Sequence, residues 1–402
     1  MPRIPKIVLL IESSRAYGRG LLAGIASYAR LHGPWSFYRR PPLYDDIDQE
    51  ERITHERIER WKPDGIIMRD SRLERWSYDG FGLQDSQAHK KILNMAVPII
   101  IASSAVGQNR VFPAIMSDCA GIGKMVAEHL LERGFRHFAY CGLDDMRWSA
   151  ERGESFQENL AQAGFTVQFY RQPEEKNKRT WEAELGIMAD WLRQLPKPVG
   201  IMTCNDDRAQ QIIEACKLAN LNVPEEIAVI GVDNDELVCE LSEPPISSVV
   251  LNAERAGYEA AELLDRLMAG EKMTGQTIWA RPSRVVTRKS TDILAIEDKE
   301  VASAIRFIRQ NARKAIQVND VVQATAISRR VLEKRFRKEI GRSIFGEIKR
   351  ARTSLVARML LETDWSVSQI ALKAGFTNID HLSRYFREEM GIRPLAYRKQ
   401  NT

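Results

Sequence analysis

The chain has 402 residues, of which 44% are hydrophobic and 28% are charged, with a formal net charge of +5. This length exceeds what one hydrophobic core usually supports, so two or three domains are expected. No apolar run approaches the roughly 20 residues that span a bilayer, and the opening run is followed by Glu12, so we expect a cytoplasmic protein without membrane helix or secretory signal.

Charge is distributed unevenly along the chain. Residues 297–402 carry 22 lysines and arginines against 12 aspartates and glutamates, a net charge of +10, whereas residues 1–296 carry −5. Clustered cations displace condensed counterions from phosphate and supply salt-dependent affinity for nucleic acid without sequence preference. Contact with double-stranded DNA is therefore expected at the C-terminal end, although a charged helix is more often only a solvated face.

The cysteines are odd in number, scattered and nowhere spaced as C-x-x-C. They are Cys119, Cys141, Cys204, Cys216 and Cys239. This pattern indicates buried thiols in a reducing compartment rather than disulfides or structural zinc. We expect no metal and no cofactor.

Residues 1–290 alternate between short apolar runs and helical segments. Lys6 to Ile11 is a continuous apolar run typical of a parallel strand buried on both faces, and a helix from about Gly20 to Leu31 follows it. Further strands are predicted at 65–68, 97–101, 137–141, 166–170, 199–203 and 227–232, with a helix at about 120–132. This alternation predicts an α/β fold with two doubly wound parallel sheets.

Polar side chains follow the predicted strands, where this architecture binds its ligands. The candidate ligand residues are Ser14, Tyr17, Asp118, Trp148, Arg152, Asn205, Asp206 and Asp233. Carboxylates accept pairs of hydroxyl hydrogen bonds, arginine donates in a fixed fork, and an indole can cover the apolar face of a sugar ring. The set suits a neutral polyol, and the alternative role of each Asp or Asn is to cap a helix.

Several segments of the same region resemble the ligand-binding core of the LacI/GalR regulators and periplasmic sugar-binding proteins. They are GFRHFAYCG (134–142), Asn205-Asp206, AVIGVDN (228–234), PPISSV (244–249) and the run from Arg288 to Thr291. The resemblance places the family's ligand-contacting aspartate at Asp233, its arginine at Arg152 and its strand-end asparagine at Asn205. It implies two lobes joined by three crossovers, about 1–132 with 250–272 and about 133–249 with 273–290, that close around a sugar.

After a linker at 291–298, residues 299–402 show only helical patterns. A helix around 299–312 and a short one at 320–326 precede a helix from Ser328 to Ile340, for which Ser328 is the predicted N-cap. The residues of this helix that would face DNA are Ser328, Arg329, Arg330, Glu333 and Lys334.

The stretch from Ser366 to Arg398 predicts a second helix, tight turn and helix, with Gly375 ending the first helix. The second helix of this unit would show its first turns to base edges in a major groove. The residues on those turns are Asn378, Ile379, Asp380, His381 and Arg384.

Both helical units resemble the DNA-binding domain of the AraC/XylS regulators. The matching residues are Ser328, Leu332, Phe336 and Gly341 in the first unit, and Ile370-Ala371, Gly375-Phe376, Phe386, Gly391, Pro394 and Tyr397-Arg398 in the second. The helix between them, Ser343 to Glu362, would span ~30 Å, close to one turn of B-DNA, so one chain could read two successive major grooves. Arg352 in this helix matches a family arginine, and we expect it to pair with a carboxylate.

LacI/GalR regulators carry their DNA-binding unit before the core, whereas here it follows the core and is of another type. This fusion, together with Arg147-Trp148 and Glu151-Arg152, resembles the xylose operon regulators. The resemblance implies a cytoplasmic regulator that binds a pentose, D-xylose foremost, and activates transcription. Its partners would be double-stranded DNA, a second copy of the chain and RNA polymerase.

Three alternatives stay open. The sugar can be another epimer, the regulator can act as a repressor, or the basic tail can contact a protein instead of DNA. An enzyme is not expected, because the sequence has no Walker loop, no G-x-G-x-x-G after a strand, no G-x-S-x-G elbow and no metal-spaced histidine cluster.

Overall fold

A computed structural model describes residues 3–39, 55–69, 86–102, 112–272, 275–296 and 298–401. In this part of the chain, two six-stranded sheets with flanking helices are followed by a helical region. The predicted fold class is therefore confirmed: a two-lobed, doubly wound α/β domain and an all-α domain with two helix-turn-helix units.

The strands are β1 (Lys6–Leu10), β2 (Ser36–Arg39), β3 (Gly65–Arg69), β4 (Ile99–Ala102), β5 (Ala114–Ser117), β6 (His137–Cys141), β7 (Val167–Phe169), β8 (Val199–Thr203), β9 (Ile227–Val232), β10 (Ser247–Leu251), β11 (Thr277–Ala280) and β12 (Pro282–Val286). The helices of the α/β part are α1 (Ala16–His32), α2 (His55–Trp61), α3 (Ser86–Leu93), α4 (Cys119–Glu132), α5 (Arg147–Gln162), α6 (Trp181–Gln194), α7 (Asp206–Ala219), α8 (Glu236–Leu241) and α9 (Ala253–Met268). Those of the C-terminal part are α10 (Lys299–Gln310), α11 (Val318–Gln323), α12 (Arg329–Ile340), α13 (Ile344–Glu362), α14 (Val367–Lys373), α15 (Ile379–Met390) and α16 (Pro394–Asn401).

The first lobe is built on a parallel sheet in the order β11-β5-β4-β3-β1-β2. Helices α1 and α9 cover one face, and their backbones approach closely. A Cβ on Gly24 would lie 1.8 Å from the Glu254 carbonyl oxygen, and one on Gly257 would lie 2.1 Å from that of Leu21. Only glycine fits at these two positions, and this pair of helices fixes the late segment α9 in the first lobe.

The second lobe is built on a sheet in the order β12-β10-β9-β8-β6-β7, in which β12 is antiparallel and the other strands are parallel. Every residue of β8 and β9 is buried, as expected for central strands covered on both faces. The thiols of β6, α7, α8 and the β8–α7 turn are buried and free, while Cys119 is half-buried.

The three crossovers differ from the predicted lobe boundaries of 1–132 with 250–272 and 133–249 with 273–290. The chain leaves the first sheet after Ser117, so α4 packs its apolar face into the core of the second lobe. It returns at Asn252 and crosses again at Arg281, because β11 pairs with β5 of the first sheet and β12 pairs with β10 of the second. The amphipathic pattern of α4 predicted a helix correctly but carried no information on which sheet covers it.

The C-terminal domain contains two apolar cores that share Ala351 of α13. The first core joins α10, α11, α12 and the start of α13 around Phe336, and the second joins the rest of α13 to α14, α15 and α16 around Phe386. The long helix predicted between the two units is present as α13, with Ser343 as its N-cap.

Within the segment predicted as a linker, 291–298, residues 291–296 lie against both domains. Thr291 is buried in the second lobe, where its carbonyl accepts from Arg133 Nε at 2.7 Å. Beyond it, Ile293 and Ala295 pack against the core of the second lobe. Leu294 and Ile296 pack against the first core of the C-terminal domain. Successive side chains of this apolar segment therefore alternate between the two domains, and the segment joins the second lobe to the C-terminal domain.

Candidate ligand cleft and nucleic-acid interface

The cleft between the two lobes opens at the carboxyl ends of both sheets. It is lined by Ile11, Glu12, Arg15, Tyr17, Leu21, Arg69, Ala102, Ser117, Trp148, Arg152, Asn205 and Asp233. Its volume is about 600 Å³ with the opening to solvent included. Five of the predicted ligand residues lie here: Tyr17, Trp148, Arg152, Asn205 and Asp233.

A buried ion pair forms the centre of the second lobe's side of the cleft. Arg152 Nη2 donates to Asp233 Oδ1 at 3.1 Å, and Arg152 Nη1 donates to the carbonyl of Cys204. The guanidinium lies 5.1 Å from the centre of the Trp148 ring, a cation–π contact. Burial, the largest single effect, disfavours the charged guanidinium, but the Asp233 carboxylate and smaller contributions from neighbouring groups together raise the pKa of Arg152. Arg152 is therefore a permanent donor in the cleft.

The backbone that presents Asp233 is strained. Asp233 has φ +98° and Asn234 has φ +49°, a region that side-chain-bearing residues rarely adopt and that costs about 1–3 kcal/mol. The Asp233 N–H donates to the Val249 carbonyl at 2.9 Å, and the Asn234 N–H donates to Ser248 Oγ at 3.0 Å. These bonds hold the turn, and the turn sets the direction of the Asp233 carboxylate.

Asp206, a predicted ligand residue, does not line the cleft and instead supports this turn. Its Oδ1 accepts from Ser248 Oγ at 2.5 Å, and its Oδ2 accepts from the backbone N–H of Asp235 at 2.6 Å. Burial, and then the charge of Asp233, raise the pKa of Asp206 well above its usual value. Both oxygens accept hydrogen bonds inside the protein, so Asp206 supports the turn in this structure, and its contact with ligand hydroxyls stays a prediction.

Two further predicted residues, Ser14 and Asp118, also lie outside the cleft lining. Asp118 is the N-cap of α4 and accepts from the Gly121 N–H at 2.9 Å, which is the capping role that the sequence left open. Asn205 combines both roles, because it lines the cleft and also caps α7 by accepting from the Arg208 N–H at 3.0 Å.

The charged side chains that the first lobe places at the cleft are not among the predicted ligand residues. Arg69, the last residue of β3, pairs with Glu12, which follows β1. Arg15 and Ser117 line the cleft as well. Each of these residues ends or follows a strand, so the strand-end rule could have found them, but the pairing of Arg69 with Glu12 depends on the β1–β3 register and on no local signal.

Buried donors without partners remain in this cleft. Trp148 Nε1 and Arg152 Nε have no hydrogen-bond partner among the described residues. A buried N–H that lacks an acceptor costs about 1–3 kcal/mol, so an oxygen-bearing ligand between the lobes would remove this cost. On the opposite lobe, burial raises the pKa of Tyr17 to about 12, against the effect of its hydrogen bond with Ser117. Tyr17 is therefore a neutral hydroxyl that faces the same space.

In the C-terminal domain, α12 buries Leu332 and Phe336 and exposes the residues predicted to face DNA. These exposed residues are Ser328, Arg329, Arg330, Glu333 and Lys334. Ser328 occupies the N-cap position, but its side chain makes no capping bond. Arg329 Nε donates to Glu333 at 2.8 Å and Nη1 donates to Asn319 at 3.1 Å, which holds the guanidinium in a defined direction.

The second unit presents the first turns of α15 in the same way. Asn378, Ile379, Asp380 and Arg384 are exposed, and His381 is partly buried. The Asn378 side chain caps the helix by accepting from the His381 N–H at 2.8 Å. His381 Nδ1 lies 3.2 Å from Thr377 Oγ1, so the ring is oriented before any DNA contact.

Arg352 holds the turn of the second unit through carbonyl oxygens rather than through the carboxylate that the sequence predicted. Its Nη1 donates to the Lys314 carbonyl at 2.8 Å, and its Nη2 donates to those of Ala374 and Gly375 at 3.2 and 2.9 Å. Gly375 has φ +69°, and a Cβ there would lie 2.1 Å from the Arg313 carbonyl oxygen. The turn therefore requires glycine, and the arginine ties it to the loop before α11.

Two family models match the chain: a periplasmic binding protein-like domain over residues 127–291 and a helix-turn-helix domain over residues 321–400. The xylose operon regulatory protein of Escherichia coli (strain K12) is 30% identical over 404 residues, which is 99% of this chain and 97% of that protein. The chain belongs to the xylose operon regulatory protein family. The family member of Haemophilus influenzae is 29% identical over 98% of both chains.

Solved structures agree with this assignment. The structure of the xylose-binding transcription activator xylR covers 100% of this chain and 99% of its own, with 29% identity and a TM-score of 0.60. A periplasmic binding protein/LacI transcriptional regulator from Alkaliphilus metalliredigens, complexed with D-xylulofuranose, covers 72% of this chain at 20% identity and a TM-score of 0.54, which shows the fold alone. The chain is thus a transcription regulator with a helix-turn-helix domain, and its relatives are regulators rather than enzymes. None of the described helices has the length and apolar content that a membrane-spanning segment needs.

Proposed function

We propose that the chain binds D-xylose in the cleft, and that the bound sugar changes how α12 and α15 engage DNA, so that pentose-utilisation genes are activated. The observation that carries the proposal is a pair of buried donors, Trp148 Nε1 and Arg152 Nε, which have no partner among the described residues. Both residues line a cleft whose charged side chains are already paired. Such donors need oxygen acceptors, and a sugar supplies hydroxyl oxygens without adding charge.

The charge balance favours a neutral ligand over an anionic one. Arg152 pairs with Asp233, and Arg69 pairs with Glu12. Arg15 pairs with Asp207 at the edge of the cleft. A sugar acid or phosphate would have to break one of these pairs, and breaking a buried pair is costly because it leaves an uncompensated charge.

In this proposal Asp233 and Asn205 bind hydroxyls from the second lobe, and Glu12 and Arg69 bind them from the first. Trp148 or Tyr17 packs against the apolar face of the ring. The relatives support the choice of sugar, since those that match over the full chain include a xylose-binding activator and xylose operon regulators. The sugar can shift DNA affinity only by its preference for one arrangement of the domains.

Isothermal titration of the full chain with D-xylose, L-arabinose and D-ribose tests the ligand. Asp233→Asn should weaken D-xylose binding by at least about tenfold, because the carboxylate contributes charged hydrogen bonds and also holds Arg152. Asp145→Asn is the matched control, since Asp145 pairs with Arg179 and does not line the cleft. Equal affinity of wild type and Asp233→Asn would remove Asp233 from the site, and absence of binding by any pentose would refute the proposed ligand.

For DNA, we propose a homodimer in the cytoplasm in which each chain places α12 and α15 in successive major grooves and recruits RNA polymerase. Footprinting of the operator with and without D-xylose tests this arrangement. Protection should extend over two adjacent grooves per half-site, and transcription in a reconstituted assay should rise with sugar. Protection of a single groove would contradict the two-helix arrangement, and sugar-induced release from DNA would identify a repressor.

A further inference from the structure

The two lobes contact each other directly at the mouth of the cleft, through charged groups that lie outside the proposed ligand contacts. Arg19 of α1, in the first lobe, donates from Nη2 to Asp235 Oδ2 of the second lobe at 2.7 Å. The same oxygen accepts from the backbone N–H of Ala16 at 2.9 Å. Beside this contact, Arg15 Nε lies 3.0 Å from Asp207 Oδ2. All these bonds cross from one lobe to the other.

The geometry on both sides is prepared for this contact. Asp235 is 7% exposed, and its own N–H is held by Asp206, the buried carboxylate that also supports the turn of Asp233. Arg19 also donates from Nη1 to the Ser14 carbonyl at 2.6 Å, so it is tied to the loop after β1. Ala16 is the first residue of α1, where an N–H lacks a helical acceptor and the helix dipole favours an anion.

We infer that Arg19 and Asp235, supported by Arg15 and Asp207, form an interlobe latch that stabilises the closed cleft and thereby sets the affinity for the sugar. The inference rests on the proposed function, because the readout is sugar binding. When only the closed form holds the ligand, the apparent dissociation constant equals the intrinsic one divided by the closed fraction. Weakening the latch therefore weakens the binding of every accepted sugar by the same factor, whereas changing a ligand-contacting residue changes the ranking of sugars.

The latch also predicts that sugar binding depends on salt concentration, which is not expected of a pocket that only contacts a neutral ligand. The Arg19 side chain is 44% exposed, and those of Arg15 and Asp207 are 40% and 46% exposed. Salt screens ion pairs at such exposed positions. Binding of an uncharged sugar should therefore weaken as the salt concentration rises, because closure forms ion pairs that salt weakens.

The test measures the dissociation constant of the full chain for D-xylose and one weaker pentose at about 0.05 and about 0.5 M NaCl. Arg19→Gln and Asp235→Asn should each raise both constants by about three- to tenfold at low salt and should remove most of the salt dependence. The dissociation constant of the double variant should be no higher than the higher of the two single-variant values, because the two side chains act through one contact.

Arg266→Gln is the matched control. Arg266 pairs with Glu271 at 2.8 Å, both residues lie in the first lobe, and both side chains are 48% exposed. The same charge is removed without touching the interlobe contact, so affinity and salt dependence should stay at the wild-type values. An effect as large as that of Arg19→Gln would assign the result to net charge and overturn the latch.

The failure of the latch and the failure of the proposed ligand give different results. If wild type binds no pentose, the proposed function fails. If wild type binds D-xylose but Arg19→Gln keeps the same affinity and salt dependence, the latch fails. Hydrogen exchange without sugar tests the latch independently: in Arg19→Gln the amides at the start of α1, Ala16 included, should exchange faster than in wild type. Unchanged exchange there would overturn it as well.

Discussion

The two helix-turn-helix units of the C-terminal domain share one scaffold and differ in what surrounds it. In each unit the second helix buries a leucine and a phenylalanine four residues apart, Leu332 and Phe336 in α12, Leu382 and Phe386 in α15. Each of these helices ends at a left-handed glycine, Gly341 or Gly391. The scaffold is therefore repeated, and functional differences have to arise from exposed side chains and from contacts with the rest of the chain.

The exposed charges of the two helices differ strongly. Helix α12, RRVLEKRFRKEI, carries six cations and two anions, whereas α15, IDHLSRYFREEM, carries two cations and three anions. Cations facing phosphate give affinity without sequence information, while polar groups at base edges give specificity. The comparison suggests that the first unit supplies more of the affinity for DNA, and that the second depends more on base contacts from its first turns.

The two units also differ in their attachment to the ligand-binding domain. The end of α12 accepts hydrogen bonds from Arg136 at the carbonyls of Lys338 and Glu339. Arg350 of α13 pairs with Glu132, the last residue of α4. For α15 the described ion pairs run to Lys349 of α13, within the same domain. The described hydrogen bonds thus tie the second lobe to the first unit, whereas the second unit is tied to the first lobe, where Arg255 Nη1 of α9 donates to the Lys399 carbonyl of α16 at 2.6 Å.

The largest effects are expected from the two core phenylalanines. Phe336→Ala and Phe386→Ala should each destabilise the C-terminal domain by about 3–5 kcal/mol, because each removes a fully buried ring. Calorimetry of the full chain should show the transition of this domain shifted to lower temperature in both variants. D-xylose binding should be retained, since neither ring belongs to the cores of the two lobes.

The two variants should nevertheless differ in how far they uncouple the domains. Leu294 and Ile296 of the joining segment pack against the core that contains Phe336, not against the core of Phe386. Phe336→Ala should therefore also reduce the effect of sugar on DNA affinity, measured under conditions in which both variants remain folded. An equal loss of coupling in Phe386→Ala would break the proposed difference between the units.

Sequence patterns predicted the scaffold of both units well, because helix period, glycine position and N-cap are local properties. They could not predict how each unit is attached to the ligand-binding domain, because that depends on which residues of distant segments come into contact. Asp206 shows the same limit in the cleft: its place after β8 predicted a ligand contact, yet β10, two strands away in the sheet, brings Ser248 to one of its oxygens. The pairing of Arg69 with Glu12 gave no local signal either, since only the sheet register sets the two side chains side by side.

Base readout provides the next test of the comparison. Arg329→Ala and His381→Ala should each relax the preference at one base pair by about 1–3 kcal/mol, because each residue is held at the start of its helix by neighbouring side chains. Selection of operator variants with each protein measures the preference. Arg337→Ala, two turns further along α12, is the control and should weaken all sequences alike. If the Arg329 variant also weakens all sequences equally, that residue contacts phosphate only.

The salt dependence of DNA binding tests the assignment of affinity to the first unit. Arg330→Gln should reduce the slope of log affinity against log salt concentration by about 0.9, the value for one phosphate contact. Lys217→Gln in the second lobe removes an equal charge from a surface position that is paired with Glu214 and should leave the slope unchanged. The comparison fails if Arg384→Gln on α15 reduces the slope more than any single change on α12.

A smaller effect is expected from the attachment itself. Arg136→Ala removes the donor to the carbonyls at the end of α12. The ratio of DNA affinities with and without D-xylose should change by about two- to fivefold, because only one exposed side chain is removed from the contact. Gel-shift titrations with both ligands measure the ratio. Arg171→Ala, another exposed arginine of the second lobe, lies 4.0 Å from Asp144 and should leave the ratio unchanged. If the Arg136 variant keeps the wild-type ratio, the contact at the end of α12 does not transmit the effect of the sugar to DNA binding.

The smallest predicted effect concerns pH, and its sign is opposite in the two units. Burial raises the pKa of Glu347, at the start of α13 beside the first unit, above its usual 4.5, whereas the hydrogen bond from Lys349 lowers the pKa of Glu388 on α15. Between pH 4.5 and the raised value, the unfolded chain has lost the Glu347 proton that the folded chain keeps, so this residue reduces stability as pH rises. Glu388 adds stability above pH 4.5, and that stability is lost as pH falls through its lowered pKa.

These opposite signs give a matched pair of variants. Glu347→Gln resembles the protonated side chain, so the melting transition of the C-terminal domain should rise relative to wild type as pH is increased from below 4.5 to 7. Glu388→Gln should show the reverse trend and a weaker one, because its exposed ion pair with Lys349 is screened by salt. Parallel trends in the two variants would mean that the two carboxylates have similar surroundings. The two units would then differ in sequence but not in the packing around these residues.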